Sequence, residues 1–395
     1  MSSDAAPSPP SGRGRLLRRS GALLGVGAVV AALVGVGAGS LGWPRDGGMT
    51  SSTPIDQPAP PADGPPRSQG RLLVGTQFQG TWSTYTDDER RTLLDDLVDI
   101  GVKTVRISIS WAMLQPDRPT ADDAGWSWTY GVPRVDSVVA MARSRGLIVH
   151  ATFGRTPSWA NDGAGEGAAP TSLADWRRAV AFVAHRYAGK VSSWEVWNEP
   201  NHATYFPNGT PESYTDLLCA AYPILHAAAP GTPVVYGGLS GNDWRFLEAS
   251  YGAGAKGCFD VMAVHPYQRS GYSPDSPAPD EEPWYFSNVS LIRAVQARNH
   301  DLLPVWFTEF GWSTHPNAPG TPEYQRGVTE QQQATYLVRT LQLTEERYPY
   351  VKRAYIYTTR DETGFDQENN NFGLYTLSLQ PKPAVTALER FLSTS

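Results

Sequence analysis

Val191 to Asn201 reads V-S-S-W-E-V-W-N-E-P-N. Ser193, Glu195 and Trp197 alternate with Trp194, Val196 and Asn198, and the aromatic and β-branched content suits a buried strand. Proline cannot donate to a ladder and biases the preceding residue toward an extended backbone. Glu199-Pro200 is therefore expected to stop the strand with an extended Glu199 at its C-terminal tip, beside the amide of Asn198. A second stretch mirrors it: Pro304 to Trp312 reads P-V-W-F-T-E-F-G-W, a short apolar strand that ends in Glu309 with Gly311 opening a turn.

Working outward, the chain from Arg71 alternates short apolar runs with amphipathic ones, the pattern of an α/β fold with a parallel sheet. Eight such pairs are expected. Their strands fall at Leu72–Phe78, Val102–Ile109, Leu147–Phe153, the Glu199 stretch, Thr232–Gly238, Cys258–His265, the Glu309 stretch and Val351–Thr358. Thr86-Asp87-Asp88-Glu89 has the form of a capping box, and Leu93, Leu94, Leu97 and Ile100 follow it at helical spacing. Eight strand–helix pairs predict a (β/α)8 TIM barrel, in which strand C-termini converge on one face. Glu199 and Glu309 would then meet across that face.

Two such carboxyl groups suit glycosidic bond hydrolysis: one donates a proton to the leaving oxygen, the other attacks or activates water. W-N-E-P-N together with F-T-E-F-G-W resembles the retaining glycoside hydrolases of clan A, nearest to the family 5 (cellulase-type) and family 39 groups. His265-Pro266-Tyr267 at the sixth strand end fits the same clan. The resemblance covers roughly residues 72 to 393 and implies a nucleophile at Glu309 and an acid/base at Glu199. It further implies Asn198 on the sugar's 2-hydroxyl, Arg106 and Tyr267 beside the nucleophile, and His265 in the same subsite. A cation and a phenol there favour a charged Glu309, whose charge favours a protonated partner. One departure matters. Many clan members carry a tryptophan at the end of the eighth strand, where this chain offers Tyr355 and Tyr357, so Tyr357 is assigned to stacking there. Trp159, on the long loop after the third strand, is a further sugar platform. No cofactor and no metal is expected.

A buried arginine in a strand needs an anion; for Arg106 this is Glu309, or else a carboxylate elsewhere in the core. His150, alone in an apolar strand, reads as a satisfied core residue. The 13 Trp and 18 Tyr are many, and several sit near Gly, Pro, Asp and Asn, where loop rings can stack on sugars. Trp111, Trp126, Trp128 and Tyr130 mark one long loop, and Gln268 to Glu282 a candidate rim or lid. A net charge of −6 gives no basic footprint for nucleic acid. The expected partner is an oligo- or polysaccharide, met by a monomeric catalytic domain.

Residues 1–20 are basic, with Arg13, Arg15, Arg18 and Arg19, and precede the uncharged run 21–42. That run can span a bilayer as an anchor with a cytoplasmic N-terminus; Gly37, Ala38, Gly39 and Ser40 could instead admit signal cleavage. Residues 43–70, rich in Pro, Gly, Ser and Asp, read as a linker, and 71–395 as the barrel. The domain is thus expected outside the cytoplasm, anchored or secreted. The two cysteines, Cys219 and Cys258, are read as a disulfide in an exported protein, with two buried thiols as the other reading; they are too few for a structural zinc site. Two rival functions remain: an inactive cell-surface carbohydrate-binding barrel, and a metal-dependent hydrolase using His150 and His265.

Overall fold

Charged and polar residues alternate with apolar ones along Thr104-Val105-Arg106-Ile107-Ser108-Ile109, and that alternation divides the molecule. In the computed structural model, which describes residues 71–120, 131–279 and 282–394, Val105, Ile107 and Ile109 pack outward against helices while Arg106 points into a polar interior. Segments 1–20, 21–42 and 43–70, with Trp126, Trp128 and Tyr130, lie outside the described residues. Among those described, no helix is long and apolar enough to cross a membrane.

Nine parallel strands form one sheet: β1 (Leu73–Gln77), β2 (Thr104–Ser110), β3 (Ile148–Gly154), β4 (Ser193–Val196), β5 (Val234–Tyr236), β6 (Leu239–Ser240), β7 (Met262–His265), β8 (Val305–Phe310) and β9 (Val351–Ile356). Their order is β5-β4-β3-β2-β1-β9-β8-β7-β6, so the first strand pairs with the last and the sheet curls. A parallel bridge between Val235 and Val261 ties the β5 end to the segment leading into β7. The result is an α/β, TIM-like barrel.

Helices α1 (Asp87–Asp99), α2 (Trp111–Leu114), α3 (Val132–Ser144), α4 (Leu173–Arg186), α5 (Pro211–Ala228), α6 (Trp244–Gly252), α7 (Val289–Arg298), α8 (Glu330–Arg347) and α9 (Pro383–Thr394) accompany the strands. Thr86 and Glu89 form the expected capping box of α1. The short α2, inside the long loop after β2, carries no periodic signal of its own. Outside the sheet lies one large apolar core; inside it, Val235, Val261, Ala263, Trp306 and Tyr355 pack together.

Two expectations need correction. The strand expected over Thr232–Gly238 appears as two pieces, β5 and β6, parted at Gly237-Gly238. A Cβ on Gly238 would lie 2.2 Å from Nε2 of His265 and 2.5 Å from Oγ1 of Thr308, so the chain passes too close to those side chains to carry one. The Glu199 strand also stops earlier than expected, at Val196, and Glu199 is not extended. Trp197 and Glu199 hold φ of 71° and 47°, the left-handed region that side chains rarely adopt. Proline's steric preference is overridden because the Glu199 amide donates to Gly238 O at 3.0 Å and its carboxyl is fixed from the other side.

Candidate active site

Inward-facing residues of β2, β3, β4 and β8 meet at Glu195. Its Oε2 accepts from Nε of Arg106 (2.7 Å), Nε2 of His150 (2.9 Å) and Oγ1 of Thr152 (3.0 Å). Its Oε1 accepts from the Gly238 amide (2.8 Å), Nη2 of Arg106 (3.2 Å) and Oγ1 of Thr308 (3.2 Å). Burial alone would raise this carboxyl, but Arg106 and His150 overcome that and hold it below the usual carboxylate range. Burial lowers His150 against the pull of Glu195, so His150 is a neutral core residue whose Nδ1 faces Ser193 Oγ at 2.9 Å.

Arg106 carries this anchoring upward. Burial would lower its pKa, yet Glu195 and Glu309 together raise it, so it is a permanent cation. Its Nη1 donates to Oε1 of Glu309 at 2.5 Å and to Gln77 Oε1 at 2.8 Å, and its Nη2 donates to Oδ1 of Asn198 at 2.8 Å. That contact fixes the Asn198 amide with its N–H groups turned elsewhere. Both expected readings of Arg106 therefore hold at once: it touches Glu309 and a second, deeper carboxylate.

The other oxygen of Glu309 accepts from the Tyr267 hydroxyl at 3.0 Å. Glu199 faces His265, whose Nδ1 lies 2.8 Å from Oε1 of Glu199 and 3.7 Å from Oε2 of Glu309. Oε2 of Glu199 is buried without a hydrogen-bond partner among the described residues. Both carboxyl side chains are nearly enclosed, 1% exposed for Glu199 and 7% for Glu309. One ligand-type atom each from Glu199, His265 and Glu309 all lie within 4.8 Å of one another.

Donor counting sets the tautomer of His265. The Thr308 hydroxyl gives its hydrogen to Glu195, so its oxygen accepts from Nε2 of His265 at 3.1 Å. Burial would lower the imidazole, but the charge of Glu309 and the hydrogen bond to Glu199 raise it above its ordinary value. Nε2 therefore carries hydrogen, and a second hydrogen on Nδ1 would donate to Oε1 of Glu199. A proton on Glu199 is thereby directed to the unpartnered Oε2.

Tyr357 packs edge-on against Tyr267 (6.4 Å between centroids) and Phe372 (5.5 Å), a small aromatic cluster at the mouth; Tyr355 instead lies in the barrel interior. Trp159 is half-buried between the loops after β2 and β3. Its indole donates to Gln115 O at 2.9 Å and Arg118 lies over its ring at 5.2 Å. Cys219 and Cys258 form a disulfide joining α5 to the approach to β7.

Glu195, Thr308 and Tyr205 escaped the sequence reading. For Glu195 the signal existed: an inward charge on β4 facing the side that Arg106 occupies on β2. Tyr205, buried on the loop after β4, is shifted upward chiefly by burial and then by the charges of Glu199 and Glu309. The Glu199–His265–Glu309 cluster is also the one grouping among the described residues with the shape of a metal site. A guanidinium already in contact with Glu309 opposes a second cation there, and His150 belongs to no such grouping.

No curated protein matches the chain. Among solved structures, a family 39 glycoside hydrolase from Bacteroides cellulosilyticus WH2 is 21% identical with a TM-score of 0.64, covering 82% of this chain and 64% of that one. The chain thus spans just under two thirds of that relative's length. A monomeric β-xylosidase from Caulobacter crescentus CB15 is 20% identical with a TM-score of 0.60, covering 81% and 67%. GH5_18 from Streptomyces cattleya, solved with GlcNAc, is 19% identical with a TM-score of 0.63, covering 82% and 80%. These share the fold. The family model for cellulase matches residues 68–346, most of the chain, and the protein accordingly belongs to glycosyl hydrolase family 5 of clan A and is a glycosidase.

Proposed function

We propose that this glycosidase cleaves β-linked O-glycosides in an oligo- or polysaccharide by double displacement with retention, on a closed (β/α)8 barrel. The observation that carries this is that one oxygen of Glu199 and one oxygen of Glu309 lie within 4.8 Å of each other beside His265, a closeness that suits the shorter of two known carboxyl separations. Retaining enzymes hold their carboxyl groups about 5 to 5.5 Å apart, and inverting ones about 6.5 to 9.5 Å, to admit a water. The β configuration is supported by the named activity of the Caulobacter neighbour.

Glu309, gripped by Arg106 and Tyr267, attacks the anomeric carbon as the C–O bond to the leaving group breaks. Glu199 delivers the proton on Oε2 to that oxygen, then takes one from the water that releases the sugar. Asn198, its carbonyl held by Arg106, turns its N–H groups to the sugar's 2-hydroxyl, a contact that strengthens as positive charge develops on the ring. Tyr357 and Trp159 line further parts of the sugar site. Export rests on the sequence of 21–42, anchored or cleaved, and places the barrel outside the cytoplasm.

The test is Glu309→Ala with azide. Turnover of an activated aryl β-glycoside should vanish and partly return as azide takes the nucleophile's place, giving a glycosyl azide of inverted configuration. Full activity without azide would rule the assignment out, and would favour a different nucleophile.

A further inference from the structure

The loop after β7 returns to the barrel through Pro283-Trp284-Tyr285, and this tripeptide is clamped from several sides. The Asn242 amide donates to Pro283 O at 2.9 Å, and the Arg269 amide donates to Trp284 O at 3.1 Å. The Asn242 side chain, itself fully buried, donates to Tyr285 O at 2.9 Å. Tyr285 stacks on Tyr272 at 6.3 Å and 28°. Gly241, at φ 69°, lets Asn242 approach: a Cβ there would lie 3.1 Å from Pro283 O.

Held this way, Trp284 stays half exposed and packs against the Tyr267–Tyr357–Phe372 cluster, one side chain removed from Glu309. Trp197 and Trp312 each give their indole N–H to a backbone carbonyl. Trp284 makes no such bond among the described residues. A clamped backbone, a partly exposed indole and an N–H with no partner among the described residues suit a pyranose ring, whose C–H face stacks on aromatics while its hydroxyls take donors. Tyr357 is more enclosed, its ring packed edge-on within the cluster.

We propose that Trp284 is the stacking platform of the sugar next to the one being cleaved, so that the preferred substrate spans at least two sugar residues. This rests on the β-glycosidase reading above. A ring fixed before binding loses little conformational freedom when the sugar arrives, which is the use to which the Asn242 clamp is put.

The test compares wild type, Trp284→Ala and Trp284→Phe on methyl β-glycosides of one, two and three sugars in the gluco, xylo and manno series, whose methyl group leaves the neighbouring subsites free of any aromatic ring. For Trp284→Ala, kcat/KM should fall about tenfold or more on the di- and trisaccharide glycosides, through KM. It should stay within about twofold on the monosaccharide glycosides, with the melting temperature kept, and Trp284→Phe should recover most of the loss. Equal losses at every length, or none at any, would overturn the platform. Failure of the wild type to turn over any of these glycosides would refute the β-glycosidase reading itself, and this inference with it.

Discussion

Glu195 takes two of the Arg106 N–H groups, at 2.7 and 3.2 Å, and so fixes the guanidinium that Glu309 touches at 2.5 Å. One cation is shared between a structural anion and a reacting one. Glu195→Gln keeps the shape but removes the charge and places an amide N–H₂ among six donors. Breaking a buried pair by removing one partner costs about 3–5 kcal/mol. Denaturant unfolding of Glu195→Gln should show a loss of that order, and kcat/KM should fall because Arg106 no longer holds Glu309 and Asn198 in place. A variant as stable as wild type would contradict the anchoring role.

Glu199 has one oxygen on His265 and one with no partner among the described residues, the arrangement of an acid waiting for a leaving group. In Glu199→Gln, kcat/KM reports the first step, where acid help matters only if the leaving group is poor. The loss should be about 10² to 10⁴ on unactivated glycosides and small on a 2,4-dinitrophenyl glycoside. Equal losses on both would remove the acid role.

Much of this site was legible from residue order alone, for a physical reason: W-N-E-P-N and F-T-E-F-G-W sit at strand ends, and a parallel barrel brings strand ends together whatever their separation. Arg106 could be read for the same reason, since a charge within an apolar strand must find an anion. What escaped depends on side chains meeting across the barrel. Thr308 looks like an ordinary strand residue until His265 and Glu195 are seen on either side of it. The left-handed turn at Trp197 and Glu199 contradicts local preference, because Gly238 and His265 hold Glu199 against it. Trp284 lies in a loop with no period at all, and only the Asn242 clamp distinguishes it from other loop rings.

The Glu199–His265–Glu309 cluster could enclose a divalent ion by distance alone. With Arg106 in contact with Glu309, activity should be unchanged by EDTA and unaffected by added zinc or manganese at micromolar levels. Loss of activity on chelation, restored by one metal, would favour a metal-dependent reaction instead.

Cys219 and Cys258 are 39 residues apart, and closing a loop of that length restricts the unfolded chain by about 4 kcal/mol in the chain-entropy account. Cys219→Ser/Cys258→Ser should therefore unfold at lower temperature with its kcat/KM preserved, since neither residue touches the cluster. Unchanged stability would mean that the unfolded chain is already compact in this region.

Two carboxyl groups on the loop after β9 contribute to the pH dependence of stability near neutrality. Burial raises Glu362 to about 7 although Tyr85 donates to it at 2.5 Å, and burial raises Glu368 to about 7 although Ser270 donates to it at 2.6 Å. Between the unfolded value of 4.5 and about 7 the folded protein binds more protons than the unfolded chain. Stability from these groups is thus fully present below 4.5 and is lost as pH rises through about 7. The raised His265 acts in the same sense, stabilising below 6.5 and losing that as pH rises through its folded value. The lowered His150 acts oppositely, with stability lost as pH falls below 6.5. Lowered acids such as Asp95, Asp136 and Asp275 matter only nearer their unfolded value of 3.8 and below. The contribution of the loop is therefore the difference between wild type and Glu362→Gln/Glu368→Gln. Melting temperatures measured from pH 5 to pH 8 should fall more steeply in wild type than in the double variant, and parallel curves would show that neither carboxyl is protonated in the folded state.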